Sequence, residues 1–536
     1  MVKLPNMNEP GAMDKPTTGV VVPLQTLFAT FPFPISPTQI PAIPITGIAI
    51  DNRKLEPGNL FVAMRGGSAD GHDFIADAVA RGASAIVCEK EITGLPVACI
   101  RVANSRQSLT WLAAAFYGNP GQKLTVIGVT GTDGKTTTCN LLYQILLAAG
   151  QKVGLISTVN AIIGMDVLDT GFHVTTPDAP DVQRYLARMV EAGLTHAVLE
   201  TTSHGLAQYR VDACEFDIGV ITNITHEHLD QHGSYENYRA AKARLFQSLD
   251  KTKPKPQGNP RLAVLNKDDS SYEYLSQLIS GPQVSYGLGS TADIRAEAVA
   301  YSSDGIHFEA VGEDFRFPAT SQLVGEFNVL NCLAALTAAI RGLGVDPGAI
   351  AEGIAALHGI PGRMERIALG QPFTAIVDFA HTPNALRVAI ETVRKITDKR
   401  VIVIFGSAGL RDKEKRRMMA EVAALWADVS ILTAEDPRTE SLEEILDDMA
   451  AGARFQGGME KETFWRVPDR GNAIRLGVHL AKPGDIVITC GKGHEQSMCF
   501  ETTEYAWDDR VALRAALSEL LQIEGPEMPY LPTKGK

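Results

Sequence analysis

The stretch with the most evident chemistry runs from Thr125 to Thr138, where an apolar run is followed by glycines, a lysine and threonines. Val126, Ile127 and Val129 predict a buried strand, and apolar residues at helical spacing predict a helix from Thr136 to Ala149. A strand, a glycine turn and a helix in that order direct backbone N–H groups and the positive helix end at an anion. The stretch therefore predicts a phosphate-binding loop.

The same loop carries side chains suited to a nucleoside triphosphate. In such loops the lysine, here Lys135, reaches the outer phosphates, and the hydroxyl of the next residue, Thr136, binds Mg²⁺. The strict P-loop pattern has its first glycine where this chain has Val129, so Gly128 and Gly131 supply the flexibility instead. The loop residues predicted to bind ATP are Gly131, Thr132, Asp133, Gly134, Lys135, Thr136 and Thr137.

Composition excludes several classes of protein. A length of 536 residues exceeds what one hydrophobic core supports. A net charge of −12 without a basic stretch argues against coating nucleic acid. Seven scattered cysteines without a C-x-x-C motif favour a reducing compartment and no structural zinc. Because the chain lacks both a long apolar run and a signal pattern, we expect a cytoplasmic protein with no membrane insertion.

The chain divides into a lead-in and three α/β units. Residues 1–44 hold nine of the 29 prolines and predict an extended lead-in whose first part is disordered. The predicted domains are 45–122, 123–360 and 361–536. Alternating strands and helices predict largely parallel sheets, whose ligands bind beyond the carboxyl ends of the strands. The loop 251–260 is predicted to lie at the surface, with lysines that serve solubility.

Three residues outside the loop are suited to helping phosphate chemistry. Glu200 and His228 each follow a predicted strand, and their carboxylate and imidazole can bind divalent cations. Lys242 lies on a predicted helix from about Tyr235 to Leu249. Alone, each residue type is more often found at an ordinary surface or core position. The neighbouring phosphate loop favours the functional interpretation.

From about residue 46 onward the chain carries a series of motifs, which start at Asp51, Asp70, Thr130, Thr175, Glu200, Asn223, Tyr238, Gly325, Pro361, Val377, Arg411, Glu435 and Gly491. In their order these motifs resemble those of the Mur ligase family. More narrowly, the sequence resembles the MurE branch, the UDP-N-acetylmuramoyl-tripeptide synthetases. The resemblance implies a three-domain α/β architecture with a central P-loop ATPase domain and a C-terminal Rossmann-like domain.

The resemblance implies an ATP-dependent amide ligase of peptidoglycan synthesis. An acyl phosphate forms on UDP-N-acetylmuramoyl-L-alanyl-D-glutamate, and the amine of a diamino acid displaces the phosphate. The implied catalytic residues are Lys135, Glu200, His228 and Lys242. Thr136 and Glu200 would hold one Mg²⁺ and His228 a second. Lys242 would carry a carbamate derived from CO₂, since a plain lysine would repel the metal.

The resemblance also assigns binding residues by their positions in the motifs. Those implied for adenine, ribose and phosphate, in addition to the loop, are Asn328, Asn331, Arg363, Asp378 and His381. Those implied for the UDP-sugar and its peptide are Asp51, Asn52, Arg53, Asp70, His72, Thr175, Thr176, Thr202 and Arg210. Where the family often has Ser, Thr202 keeps the hydroxyl.

The amino-acid site carries two opposing signals. The implied residues are Arg411, Glu435, Asp436, Arg438, Gly491 and Glu495. Family members that use meso-diaminopimelate carry Asp-Asn-Pro-Arg, whose arginine pairs with the distal carboxylate. Arg438 therefore favours a second carboxylate, whereas the charge of Asp436 suits the lone ammonium of L-lysine or L-ornithine. Diaminopimelate is slightly favoured, because a buried guanidinium without a partner is costly.

Two alternatives remain at this stage. One is a related Mur-type or folylpolyglutamate-type ligase with another acceptor, and the motifs at Asp51 and Gly491 argue against the folate relative. The other is a non-catalytic nucleotide-binding scaffold, and the presence of Lys135, Glu200, His228 and Lys242 argues against it. For the ligase, we expect the third domain to move onto the central one during turnover.

Overall fold

The structure is a computed structural model that describes residues 20–66, 69–168, 176–225, 232–302, 305–323 and 325–533. The predicted site residues Thr175 and His228 lie outside these ranges, as does the first part of the proline-rich lead-in. Three large α/β sheets of five, 11 and six strands organise the described chain. Within those residues, every helix is too short or too polar to cross a membrane.

The first sheet has the order β2-β7-β6-β5-β4, with parallel pairing from β4 to β7 and β2 antiparallel at the edge. Its loops after β4 and β5 leave from the same edge and carry the motifs at Asp51 and Asp70. The motif at Asp70 continues into a 3₁₀ turn, Gly71–Phe74, directly before the helix Ile75–Ala80. The elements are β1 (Val22–Pro23), α1 (Leu24–Phe28), β2 (Ile35–Ser36), β3 (Pro44–Ile45), β4 (Gly47–Ala49), β5 (Asn59–Val62), α2 (Ile75–Ala80), β6 (Ala85–Cys88), β7 (Ala98–Val102) and α3 (Ser105–Phe116).

The central sheet has the order β11-β10-β9-β12-β8-β13-β14-β15-β16-β17-β18. Its strands are β8 (Thr125–Thr130), β9 (Val153–Ile156), β10 (Ala161–Ile163), β11 (Asp166–Leu168), β12 (His196–Glu200), β13 (Ile218–Ile221), β14 (Leu262–Asn266), β15 (Gln283–Gly287), β16 (Ile294–Ser302), β17 (Gly305–Val311) and β18 (Arg316–Ser321). Pairing is parallel from β9 through β12 and β8 to β16, as predicted. Both ends are antiparallel, because successive strands there are too close in sequence for a helical crossover.

The helices of the central domain cover both faces of this sheet. They are α4 (Lys135–Ala148), α5 (Ala179–Glu191), α6 (Ser203–Ala207), α7 (Tyr235–Leu249), α8 (Tyr272–Leu278), α9 (Phe327–Thr337) and α10 (Pro347–Ala356). The helix after the phosphate loop starts one residue before its predicted start. Directly after α9 the chain continues as a π-helical turn, Ala338–Gly342.

The third sheet has the order β19-β20-β24-β21-β22-β23, antiparallel only at β19. Helices α11, α12 and α13 pack on one face and α14 and α15 on the other, which gives a doubly wound fold. The elements are β19 (Glu365–Ile367), β20 (Thr374–Asp378), α11 (Pro383–Arg394), β21 (Val401–Phe405), α12 (Lys413–Trp426), β22 (Val429–Leu432), α13 (Leu442–Phe455), β23 (Phe464–Arg466), α14 (Arg470–Leu480), β24 (Ile486–Cys490), β25 (Ser497–Phe500), β26 (Thr503–Ala506) and α15 (Asp509–Leu521).

One lysine of the loop 251–260 is not at the surface, contrary to prediction. The Lys255 ammonium is fully buried and donates to Asp217 Oδ2 at 2.5 Å and to the Leu124 carbonyl at 2.8 Å. Asp217 Oδ2 also accepts the N–H of Val126 at 2.7 Å. Burial lowers the pKa of Lys255, an effect that the charge of Asp217 opposes. This ion pair fastens the start of β8, the strand that leads into the phosphate loop.

We expect Lys255→Met to lower the free energy of unfolding of the central domain by about 3–5 kcal/mol, because it leaves the buried Asp217 carboxylate without its cation. Urea unfolding would measure the change. Lys253 lies two residues away in the same loop and is exposed. Lys253→Met should therefore stay within about 0.5 kcal/mol of the wild type. Equal urea midpoints for the two variants would contradict the structural role of Lys255.

Candidate active site

The phosphate loop contains two glycines at which a side chain would clash with neighbouring residues. Gly134 has φ +79° before α4, and a Cβ there would lie 2.2 Å from Asn331 Oδ1. A Cβ on Gly131 would lie 1.8 Å from Thr222 Oγ1. The Thr222 hydroxyl donates to the carbonyl of Asp133 at 2.6 Å. The loop is thus held closely by neighbouring elements and keeps its N–H groups at the start of α4.

The chemistry of Thr136 and Glu200 fits a magnesium ion. The Thr136 hydroxyl lies 3.0 and 3.1 Å from the two carboxylate oxygens of Glu200, and both side chains are buried. The N–H of Thr158 donates to Glu200 Oε2 at 2.9 Å. Hydroxyl and carboxylate oxygens are the hard ligands that Mg²⁺ prefers. Among the described residues no cluster of three or more His, Cys, Asp or Glu could hold a metal, and His228 lies outside them.

Two lysines of the candidate catalytic set lie against the loop. Lys135 Nζ donates to the carbonyl of Thr132 at 2.8 Å. Lys242 Nζ, on α7, donates to the carbonyl of Gly131 at 2.5 Å. The Lys242 side chain is buried, and its ammonium lies 4.5 Å from the ring centre of Tyr238. The structure therefore brings together three of the four residues predicted to be catalytic, Lys135, Glu200 and Lys242.

A cavity of about 1060 Å³ separates the phosphate loop from the third sheet. The Arg363 guanidinium lies 4.4 Å from the ring centre of Phe379 on the far wall. The Asp378 carboxylate accepts the N–H groups of Met364 and Ala380, each at 2.8 Å. The predicted nucleotide residues that line this cavity are Thr132, Asp133, Gly134, Lys135, Thr136, Thr137, Asn328, Asn331, Arg363, Asp378 and His381.

Burial sets the charge state of two groups on that far wall. It lowers the pKa of His381 to about 3, so the imidazole is neutral near pH 7. His381 Nδ1 lies 3.0 Å from the carbonyl of Phe379. Burial raises the pKa of Asp378, and the positive charge of Arg363 opposes that shift. Arg363 therefore contributes a positive charge to this wall, opposite the loop.

The residues predicted to contact the reactive peptide form one network beside Glu200. The hydroxyls of Thr176 and Thr202 lie 3.0 Å apart, and Thr202 caps α6 by accepting the N–H of Gly205 at 3.0 Å. Arg210 donates to the Thr176 carbonyl at 2.6 Å. Thr202 lines the cavity as well. The network places polar groups next to the magnesium-binding pair.

The predicted uridine residues are held at the edge of the first sheet, away from the cavity lining. Arg53 forms an ion pair with Asp51 at 2.8 Å, and its hydrogen bond lowers the pKa of Asp51 to about 2. His72 Nε2 accepts the N–H of Glu89 at 2.9 Å, so its Nδ1–H donates to Asp70 at 2.5 Å. Because both ring nitrogens form hydrogen bonds within the domain, His72 helps to fix the conformation of this loop.

The predicted amino-acid residues follow β21, β22 and β24 and do not line the cavity. Gly491 has φ +111°, and a Cβ there would lie 2.1 Å from Glu435 Oε2. Arg438 NH1 lies 3.5 Å from the carbonyl of Gly409. Arg411 is exposed. Glu435, Asp436 and Arg438 follow β22, and Gly491 and Glu495 follow β24, so the two groups lie at the ends of the strands that flank β21.

The sequence did not predict that Arg470 connects these two loops from below. Arg470 is fully buried and donates to both oxygens of Asp509, at 2.7 and 2.5 Å. It also donates to the carbonyls of Ala434 at 3.1 Å and Cys490 at 2.8 Å, directly before Glu435 and Gly491. One guanidinium therefore ties together both halves of the predicted amino-acid site. An arginine at the start of a helix gives no such signal in the sequence.

We expect Glu435 to make the free energy of unfolding depend on pH. Burial raises its pKa to about 7, although Lys415 and Arg470 oppose the shift. A raised carboxyl pKa means that the folded state holds the proton more tightly, so stability falls as the pH rises from about 4.5 towards 7. Glu435→Gln should remove this decline in urea midpoints measured from pH 5 to 8. If Glu435→Gln had the same pH profile as the wild type, a raised pKa of Glu435 would be contradicted.

A phosphate loop that faces a second, doubly wound sheet across one cavity defines a multidomain P-loop nucleotide-binding protein. Three family models match the chain in order. The Mur ligase family catalytic domain matches residues 44–117, and the Mur ligase middle domain matches residues 129–339. The Mur ligase glutamate ligase domain matches residues 362–493.

Individual relatives agree with these matches. A UDP-N-acetylmuramyl-tripeptide synthetase of Roseiflexus sp. (strain RS-1) is 43% identical, covering 90% of this chain and 97% of its own. A UDP-N-acetylmuramoyl-L-alanyl-D-glutamate--2,6-diaminopimelate ligase of Geobacillus thermodenitrificans is 40% identical, covering 89% and 95%. A solved structure of a ligase with that second name has a TM-score of 0.64 at 33% identity, covering 94% and 99%. The chain belongs to the Mur ligase family, in its tripeptide-synthetase branch.

Proposed function

We propose that this chain is an ATP-dependent ligase that adds a diamino acid to UDP-N-acetylmuramoyl-L-alanyl-D-glutamate in peptidoglycan synthesis. The observation that carries the proposal is the cavity between the phosphate loop and Arg363, which is also lined by the Thr136–Glu200 pair. The names of relatives with 40–43% identity across about nine-tenths of the chain support the same reaction. The boundaries 45–122, 123–360 and 361–536 remain proposed domain limits.

ATP is the proposed phosphoryl donor in this cavity. Phosphoryl transfer depends mainly on positioning and charge neutralisation, which Lys135 and the N–H groups at the start of α4 would provide. Asn328, Asn331, Asp378 and His381 would contact the nucleoside, and Arg363 its phosphates. Mg²⁺ would be held by Thr136 and Glu200, with His228 assigned to a second ion from the sequence alone. The ion supplies positive charge to the phosphate oxygens.

The remaining assignments of the proposal concern Lys242 and the acceptor peptide. A carbamate on Lys242 would turn a buried cation beside Gly131 into an anion suited to a metal. Thr175, Thr176, Thr202 and Arg210 would orient the peptide carboxylate, and the loops at Asp51 and Asp70 would seat the uridine. A carboxylate oxygen attacks the γ-phosphorus, ADP leaves, and the incoming amine then displaces phosphate from the acyl carbon.

The proposed amino acid is meso-diaminopimelate, with L-lysine and L-ornithine as alternatives. Arg438 supports a substrate with a second carboxylate, and the Geobacillus relative is named for diaminopimelate. Arg411, Glu435, Asp436, Gly491 and Glu495 complete the proposed site. The odd number of scattered cysteines supports the cytoplasm as the place of action.

A substrate screen tests this proposal. Purified protein is supplied with ATP, Mg²⁺, the UDP-muramoyl dipeptide and one of the three diamino acids, and phosphate release and product mass are measured. We expect release to require an amino acid, with the highest kcat/KM for meso-diaminopimelate. Release with none of them would refute the tripeptide-synthetase function. Turnover with a folate and glutamate would favour the folylpolyglutamate-type alternative, and nucleotide binding without any turnover would favour a scaffold.

A further inference from the structure

A lysine that the sequence assigns to no role lies between two carboxylates of the proposed amino-acid site. Lys492 is fully buried, with Nζ 3.0 Å from Asp436 Oδ1 and 2.5 Å from Glu495 Oε2. Asp436 Oδ1 also accepts the N–H of Cys499 at 2.9 Å. Burial favours the neutral amine, but Glu495 and Asp436 outweigh it and raise the pKa of Lys492. The ammonium therefore keeps its charge.

The backbone beside Lys492 is held in an unusual conformation. Asp436 has φ +41° and Arg438 has φ +54°, in the left-handed region that residues other than glycine rarely adopt. The N–H of Arg438 donates to the Cys499 carbonyl at 3.1 Å, and its carbonyl accepts the N–H of Glu501 at 2.8 Å. Such conformations persist only where surrounding contacts enforce them, often at binding sites. The Lys492–Asp436 pair is one of these contacts.

The charges of Lys492, Asp436 and Glu495 sum to one net negative charge. Lys492 neutralises one of the two negative charges of Asp436 and Glu495. Arg438 is half-buried, and its guanidinium hydrogen-bonds within the described chain only to Gly409, at the long distance of 3.5 Å. The cluster therefore has one net negative charge, and the positive charge of Arg438 lies beside it. The distal end of a diaminodicarboxylic acid, with one carboxylate and one ammonium, complements both.

We propose that Lys492 is a positioning residue that determines specificity: by holding and half-neutralising Asp436 and Glu495, it makes the site select a zwitterionic distal end over a lone ammonium. This inference rests on the proposed function, since it concerns the amino acid of that reaction. From the sequence alone, the negative charge of Asp436 suits the ammonium of lysine or ornithine. In the structure that charge is paired with Lys492 instead.

The first test is Lys492→Met, which leaves both carboxylates without their cation. We expect KM for meso-diaminopimelate to rise roughly tenfold, because the added negative charge repels the distal carboxylate. KM for L-lysine should change less, so the ratio of the two kcat/KM values shifts roughly tenfold towards lysine. KM for ATP should be unchanged. The exposed Lys482 of the same domain provides the matched control, Lys482→Met, which should shift neither ratio.

The second test is the double variant Lys492→Met/Asp436→Asn, which removes the cation and one carboxylate together. We expect it to regain the wild-type preference to within about threefold. Equal KM increases for both amino acids in Lys492→Met, or no recovery in the double variant, would overturn the proposal. If Lys492→Met does not fold, the test uses Lys492→Arg and the double variant. Both must then keep the wild-type preference for meso-diaminopimelate over L-lysine. Wild-type protein that ligates no amino acid would instead refute the proposed function.

Discussion

Lys135→Ala is expected to lower kcat by at least about a thousandfold while the protein stays folded, since the transferred phosphoryl group loses its principal protein cation. Lys135 is the first residue of α4 and is only half-buried. The helix packs through residues further along, such as Leu142 and Ile145, so its stability does not depend on Lys135. Phosphate release would measure turnover, and thermal unfolding would measure the fold.

The exposed Lys152 lies just beyond the end of the same helix and provides the control. Lys152→Ala should keep the wild-type kcat, because Lys152 is exposed and lies past the end of α4 that is opposite the phosphate loop. Near-wild-type turnover in Lys135→Ala would defeat the assignment of the phosphate loop.

Lys242→Ala is expected to lose nearly all activity and to recover part of it when bicarbonate or a short-chain carboxylic acid is added. The side chain is 1% exposed, so truncation leaves a buried space beside Gly131. A small anion that enters this space would restore the negative charge that the carbamate supplies, and partial rescue of at least about tenfold in kcat is the expected size. The measurement is kcat against acid concentration.

The exposed Lys251 lies two residues beyond α7, and Lys251→Ala serves as the control for this rescue. Added acid should not change its kcat. A fully active Lys242→Ala would refute the carbamate. Loss of activity that no acid restores would mean that Lys242 acts through its packing and its bond to Gly131 instead.

Local patterns predicted the elements that carry the phosphate chemistry. The helix Tyr235–Leu249 has its predicted bounds, and the helix after the loop differs by one residue at each end. These elements have strong apolar periodicity and distinct turn residues. The antiparallel ends of the central sheet were not predicted, because strand direction depends on connection length and on tertiary pairing. The π-helical turn after Thr337 has no signal in an apolar run.

Ion pairs between residues far apart in the sequence were not predicted. Lys255 lies in a proline-rich loop whose sequence predicts a solvated side chain, yet its partner Asp217 is 38 residues away. The partners of Arg470 and Lys492 are 39 and 56 residues away. For the same reason the sequence showed the charge of Asp436 but not the cation that offsets it. Periodicity reports local structure, whereas the charge of a buried site depends on the tertiary fold.

The stoichiometry of a single reaction tests the central claim most directly. Protein, Mg²⁺ and ATP are mixed with the UDP-muramoyl dipeptide and meso-diaminopimelate, and ADP, phosphate and tripeptide are quantified together. Our account predicts one ADP and one phosphate for each tripeptide, with no products when any one of the three substrates is omitted. ADP formed without tripeptide, or tripeptide formed without ADP, would contradict it.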